Sequence, residues 1–384
     1  MRRQPHRHRG RSGLLRQLLL RRPPWRHGRR ALPHRGGSRR RHLRPGALPP
    51  DARRLGLLPR PPRRPLRRAP HRGRAATGQA VTARAFAALS PLRPGDAVAV
   101  ISPSGPVDHA ELDAGVAHHE GRYRVRLGAS ARGRHGFLAG HDDARAADIT
   151  AALEDRSLRA VHAARGGYGL TRLLDDHAHR WIELLRRDPK PLVGFSDVTA
   201  LHAVWSLAGV RSIHGAMVLA LGRRGGDAEL VSVLEGATPE PWTGLATWSE
   251  GPAPSVRGRA MGGNLSLLAA LQGTASQLPL QDSVLFLEDV GEAPYRIDRM
   301  LTSLRSSGAL RGVRAVVLGE FTRCDARDDG VTVERVLRER LSTLGVPVLA
   351  GAPFGHGEHH RPWVQGAEVT VRRDGVVVFE EGLS

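Results

Sequence analysis

The sequence predicts an α/β protein, with a doubly wound parallel sheet in an N-terminal domain and a smaller mixed α/β domain after it. Three observations carry the fold class. Short apolar runs alternate with segments of helical composition, the order that a parallel sheet with crossover helices requires. Turns rich in glycine and proline close those runs. Further apolar runs recur near the C-terminus and finish on an Asp-Gly turn, a hairpin signal.

Asp96–Ser102 (DAVAVIS) reads as a buried strand ending in the turn Pro103-Ser104-Gly105-Pro106. Tyr123–Leu127 alternates as a second strand, and Asp142–Leu153 reads as a helix that starts at an acidic cap. Arg159–Ala164 is a strand running into Arg165-Gly166-Gly167-Tyr168-Gly169, with a helix expected over Leu170–Asp176. Pro191–Gly194 is a strand broken sharply at Phe195-Ser196-Asp197, and a helix follows from Val198 to about Leu207. From Gly222 to Pro254 the periodicity is weak, so 223–254 reads as a linker. Ser283–Leu287, Ala315–Leu318 and Pro347–Ala350 are apolar strands, while Glu368–Arg372 and Val376–Glu380 flank the turn Arg373-Asp374-Gly375. The expected division is an extension over 1–84, an N-terminal domain over 85–222, the linker, and a C-terminal domain over 255–384.

Charge separates the extension from the rest. The chain has 384 residues, with 59 basic and 37 acidic side chains and a formal net charge of +22. Residues 1–80 hold 25 arginines, no lysine and one acid, Asp51, a net of +24 that leaves −2 for the remainder. The folded part is therefore near neutral, and the main argument for a nucleic-acid-binding fold falls away. One rival reading keeps nucleic acid as the partner of residues 1–80 alone, as a disordered basic arm. The plainer reading is an arm with no selected role, because proline recurs and few residues can be buried. Lys190 is the single lysine against 58 arginines, the signature of a GC-rich coding sequence, in which a frame upstream of the true start would have this composition. Cys324 stands alone, so no intrachain disulfide exists and a reducing, cytoplasmic setting is compatible. No apolar run approaches the roughly 18–20 residues of a membrane span.

Four motifs bear on chemistry. A serine at the strand-to-helix turn Gly194-Phe195-Ser196-Asp197 is lifted clear of a sheet, where the next N–H and the helix start can stabilise an oxyanion. The plain alternative is that Ser196 or Asp197 only caps the helix. Gly166 and Gly167 allow close backbone approach and offer N–H groups to an oxyanion or carboxylate, or form a tight turn and nothing more. Leu287-Glu288-Asp289 ends an apolar strand, where ligands of α/β sheets sit, with Glu292 a second candidate acid nearby. His356 lies between two glycines in a loop and is followed by Glu358, His359 and His360, a set whose spacing gives little support to a metal site. Ser196, a glutamate and His356 supply nucleophile, orienting acid and general base; composition permits that set without selecting it.

With these motifs in place, the chain resembles the serine LD-carboxypeptidase family, which includes muramoyltetrapeptide carboxypeptidases and microcin C immunity peptidases. The resemblance runs from about Leu92 to the C-terminus through VAVISPSGPV (98–107), LAGHDDARAADI (138–149), ARGGYGLTRLL (164–174), KPLVGFSDVTALH (190–202), IHGAM (213–217), GGNLSLLAALQGT (262–274), FLEDVGEAPYRIDRML (286–301) and GAPFGHG (351–357). It implies Ser196 as nucleophile in the first domain, Glu288 rather than Glu292 as the acid and His356 as base in the second, with the active site in the cleft between the two. The N–H of Asp197 and one from Gly166-Gly167 would hold the oxyanion. The substrate it implies is a murein tetrapeptide or a related small peptide losing its terminal D-alanine in peptidoglycan recycling, with no metal or organic cofactor, no membrane partner, and a homodimer compatible. The rival within the family is an immunity peptidase for peptidyl- or aminoacyl-nucleotide antibiotics, for which Trp242 and Trp248 would offer stacking surfaces. Two departures stand out: the extension over 1–80, and Ala117-His118-His119-Glu120 where an apolar helix face is expected.

Overall fold

The computed structural model describes residues 85–87, 89–326 and 329–384, so the extension expected over 1–84 lies outside the described residues. The first sheet grows from β1 (Ala97–Ile101), α1 (His109–Glu120), β2 (Arg124–Leu127), α2 (Asp142–Glu154), β3 (Leu158–Ala163), α3 (Leu174–Arg187) and β4 (Leu192–Gly194). A 3-10 turn over Ser196–Val198 leads into α4 (Thr199–Ala208), then β5 (Ser212–His214) and α5 (Val218–Arg224). Next come α6 (Ala228–Leu234), β6 (Ala246–Ser249), β7 (Ser255–Asn264), α7 (Leu265–Ala270), β8 (Ser283–Val290), α8 (Pro294–Ser306) and β9 (Ala315–Thr322). The chain finishes with α9 (Val333–Ser342), β10 (Val348–Ala350), β11 (Trp363–Gln365), β12 (Glu368–Arg372) and β13 (Val376–Phe379).

The first sheet has the order β11-β5-β4-β3-β1-β2, with β1 to β5 parallel and β11 antiparallel on the edge. Strand order reverses between β1 and β3, and a crevice outside the carboxyl ends of strands opens at such a point. The Pro103–Pro106 and Arg165–Gly169 turns leave those two ends and meet through the Gly105 N–H and the Gly166 carbonyl, 3.1 Å apart. The second sheet, β13-β12-β7-β8-β9-β10-β6, is mixed, with β7 to β10 parallel and antiparallel strands on both flanks. Its strands read as continuous apolar runs because helices cover them; Val284–Leu287 and Ala315–Leu318 are fully buried.

Three expectations need correction. The helix expected over Leu170–Asp176 begins only at Leu174 and continues to Arg187. The Leu170 N–H is committed to the Asp197 carboxylate at 3.1 Å, so the stretch before Leu174 runs as a loop against the nucleophile turn. The linker expected over 223–254 is folded. Leu230, Val233 and Leu234 of α6 join the first core, β6 pairs with β10, and Trp242 exchanges two 2.9 Å backbone bonds with Val377. Its elements are too short for an 11–18 residue periodicity to register. The division at 255 is also not clean, since β11 crosses back to extend the first sheet beside β5.

The polar face of α1 has its own explanation. His119 is buried, and its Nε2 lies 2.7 Å from Nδ1 of His162 on β3. His162 Nε2 donates to the Ala216 carbonyl at 2.8 Å, so its Nδ1 accepts the proton of His119. Burial holds His119 down to about 4 and His162 well below its ordinary value, keeping both rings neutral.

Candidate active site

Ser196 is set by backbone geometry. β4 ends at Gly194, where a Cβ would fall 2.7 Å from a Val198 methyl, so the turn tightens only around glycine. Phe195 is extended, and Ser196 then takes φ 64, a left-handed conformation costing a serine about 1 kcal/mol or more. That reversal lifts the side chain off the sheet at the entry of α4, where unpaired helix N–H groups gather. Asp197 turns inward, fully buried, and accepts from Leu170. Burial pushes its carboxyl up, opposed by the Ser104 hydroxyl and the Leu170 N–H. Its side chain thus ties the glycine loop to the turn and is not itself in the solvent-facing site.

The glycine loop lies against the serine. A Cβ on Gly166 would sit 3.0 Å from Ser196 Cβ and 3.2 Å from its Oγ, so no larger residue fits there without displacing the serine. Gly167 and Gly169 adopt φ 122 and 127, which keeps the loop tight over the end of β3.

The acid and the histidine come from the second sheet. Glu288 sits in β8 with its side chain fully buried, and its Oε2 is 2.7 Å from His356 Nδ1. A carboxylate accepts here, so Nδ1 carries the proton and Nε2 is the free basic nitrogen, the tautomer a general base needs. The His356 side chain is 19% exposed, which leaves one edge of the ring open. Glu292, the other candidate, pairs instead with Arg296 at 3.4 Å on the first turn of α8.

Side chains that sequence reasoning missed join the two sheets at this point. Thr199, three residues after Ser196, accepts the Asn264 N–H at 3.1 Å, and Asn264 is the register partner of Glu288. Asp289 then accepts from Asn264 Nδ2 and from the Ser266 N–H and hydroxyl, at 2.7–3.1 Å. The Phe195 ring packs edge-on against His356 with centroids 4.9 Å apart. Two links, Thr199 to Asn264 and Phe195 to His356, thus join the turn that carries Ser196 to the strand that carries Glu288 and the loop that carries His356. Among the described residues, no three His, Cys, Asp or Glu side chains could hold a metal ion.

Sequence comparison bears directly on this site. The pattern of the LD-carboxypeptidase N-terminal domain matches residues 98–215, and that of the C-terminal domain matches 257–371. The chain belongs to the LD-carboxypeptidase family. A putative carboxypeptidase of Synechocystis sp. is 40% identical over 275 residues, 70% of this chain and 88% of that one. The murein tetrapeptide carboxypeptidase of Pseudomonas aeruginosa is 33% identical over 291 residues, 70% and 91% of the two chains. The crystal structure of an MccF-like protein from Bacillus anthracis superimposes with a TM-score of 0.66 at 25% identity, covering 76% of this LD-carboxypeptidase and 99% of that chain. The protein is thus a hydrolase of the carboxypeptidase class; the N-terminal match takes in β1 to β5 of the first sheet, and the C-terminal match runs from β7 into β12 and includes β11 of the first sheet.

Proposed function

We propose that this LD-carboxypeptidase releases the terminal D-alanine of murein tetrapeptides in cytoplasmic peptidoglycan recycling, through a Ser196–His356–Glu288 triad. The 2.7 Å contact between buried Glu288 and His356 carries this reading, because it fixes the tautomer that leaves Nε2 as base. Ser196 Oγ attacks the carbonyl carbon of the amide joining the diamino acid to D-alanine, and its proton passes to His356 Nε2. The N–H of Asp197, with one from Gly166-Gly167, is assigned to the oxyanion. His356 then protonates the departing amine as the C–N bond breaks, and water, deprotonated by the same nitrogen, hydrolyses the acyl-enzyme. Glu288 stabilises the imidazolium throughout.

Among the described residues, Cys324 is a free, buried thiol, and no helix is long and apolar enough to cross a membrane. The immunity-peptidase reading leaned on stacking by two tryptophans. Trp242 is 2% exposed inside the second core, and Trp248 is covered by the Arg338 guanidinium at 4.0 Å. Incubation with L-Ala-γ-D-Glu-meso-diaminopimelyl-D-Ala, beside an aminoacyl sulfamoyl adenosine, tests the choice. Free D-alanine as the favoured product is expected; cleavage of the nucleotide alone would reverse it.

A further inference from the structure

The loop between β10 and β11 carries His356 without regular structure, and a second histidine four residues on lies beneath it. His360 is buried, and its Nδ1 is 2.7 Å from the Gly355 carbonyl. A carbonyl only accepts, so Nδ1 carries the proton, and the Gly355 N–H, 3.4 Å from the same nitrogen, makes no hydrogen bond to it. Gly355 immediately precedes His356 and has φ 129, with a Cβ there falling 3.3 Å from Glu288 Cβ and 3.1 Å from the Glu320 carbonyl. The His360 bond holds that peptide on its carbonyl side.

The same ring reaches toward the nucleophile. His360 stacks on His214 of β5, with centroids 5.1 Å apart and planes within 4°. The Phe195 ring lies 4.4 Å from it. His214 is the register partner of Gly194, two residues before Ser196, and Trp363 stacks on its far face at 5.0 Å. One side chain therefore touches the peptide before the base, the residue before the nucleophile, and the strand beside the nucleophile's strand.

We propose that His360 is a positioning residue for His356, holding the Gly355 peptide through Nδ1–H and bracing the loop on His214 and Phe195 so that the base faces Ser196. This rests on the reading of His356 as general base. A neutral donor suits the place, since His356 becomes positive during turnover and a second cation in contact with Phe195 would oppose it. Burial keeps His360 neutral, with its pKa lowered to about 4.

Two substitutions in the full chain separate donor from ring. His360→Phe keeps a ring for stacking but has no N–H, whereas His360→Asn keeps an uncharged donor in less volume. Loss of positioning by about 1 Å costs on the order of 10²-fold in rate. His360→Phe is therefore expected to lower kcat on the tetrapeptide by about 10- to 100-fold with KM within about threefold, and His360→Asn to recover most of the loss. Proton NMR gives a readout independent of substrate: a low-field signal from His356 Nδ1–H, assigned by its absence in His356→Ala and Glu288→Gln. It should shift or broaden in His360→Phe and return in His360→Asn. An unchanged signal and kcat in His360→Phe would overturn the proposal, as would equal losses in both variants accompanied by a lowered melting temperature. If the wild type shows the signal but releases no D-alanine, the substrate reading fails while the NMR comparison still judges His360.

Discussion

Ser196 rides on backbone geometry, whereas His356 rides on side chains. The serine sits where a three-residue strand meets a helix, and a glycine, an extended residue and one left-handed φ suffice to lift it out. The histidine sits in a twelve-residue stretch between β10 and β11, where Glu288, His360 and Phe195 set its place. A backbone-built element is specified by neighbours in sequence and is hard to displace without breaking the fold. An element built from side chains depends on partners far along the chain, and single substitutions can detune it while the fold survives.

That contrast predicts where large and small effects fall. Glu288→Gln should lower kcat by roughly 10²- to 10⁴-fold, because an amide cannot support the imidazolium and permits the wrong tautomer. Glu292→Gln should stay within about threefold, since a partly exposed ion pair to Arg296 is worth little. Steady-state kinetics on both variants makes the check, and the reverse ranking would show the acid to be misplaced. On the backbone side, Gly166→Ala places a methyl 3.0 Å from Ser196 Cβ. It is expected to cut kcat about tenfold or more by pushing loop and serine apart. Wild-type turnover in that variant would mean that the loop does not abut the nucleophile.

A smaller effect is spread over both regions. Burial holds His119, His202 and His360 at about 4, below the roughly 6.5 of an unfolded histidine. Between those values the unfolded chain binds more protons than the folded one. Their contribution to stability is therefore complete above about pH 6.5 and is lost as pH falls toward 4. Melting temperature should decline through that window, less so in His360→Asn, and a flat profile would contradict the neutral assignment.

The same contrast explains what the sequence let one read. The Ser196 turn was legible because strand, break and helix are local, and the Asp374-Gly375 hairpin for the same reason. Its flanking strands match the expected bounds closely. Glu288 and Glu292 could not be ranked by residue chemistry, since only position in β8 or in the loop before α8 distinguishes them. Thr199 and Asn264 were invisible as partners because 65 residues separate them. The start of α3 was misjudged because the Leu170 N–H serves a carboxylate 27 residues away. β11 and α6 were missed because three and seven residues are too few to show a period.

The central claim is that a turn of one sheet and a loop of the other form a single catalytic unit, and a three-variant comparison tests it most directly. Ser196→Ala and His356→Ala should each remove at least about 10³-fold of kcat for D-alanine release while melting cooperatively. The double variant should then be no more than about threefold worse than either, because members of one unit lose their function together. Losses that multiply in the double variant would show two independent contributions, and the turn and the loop would not share a reaction.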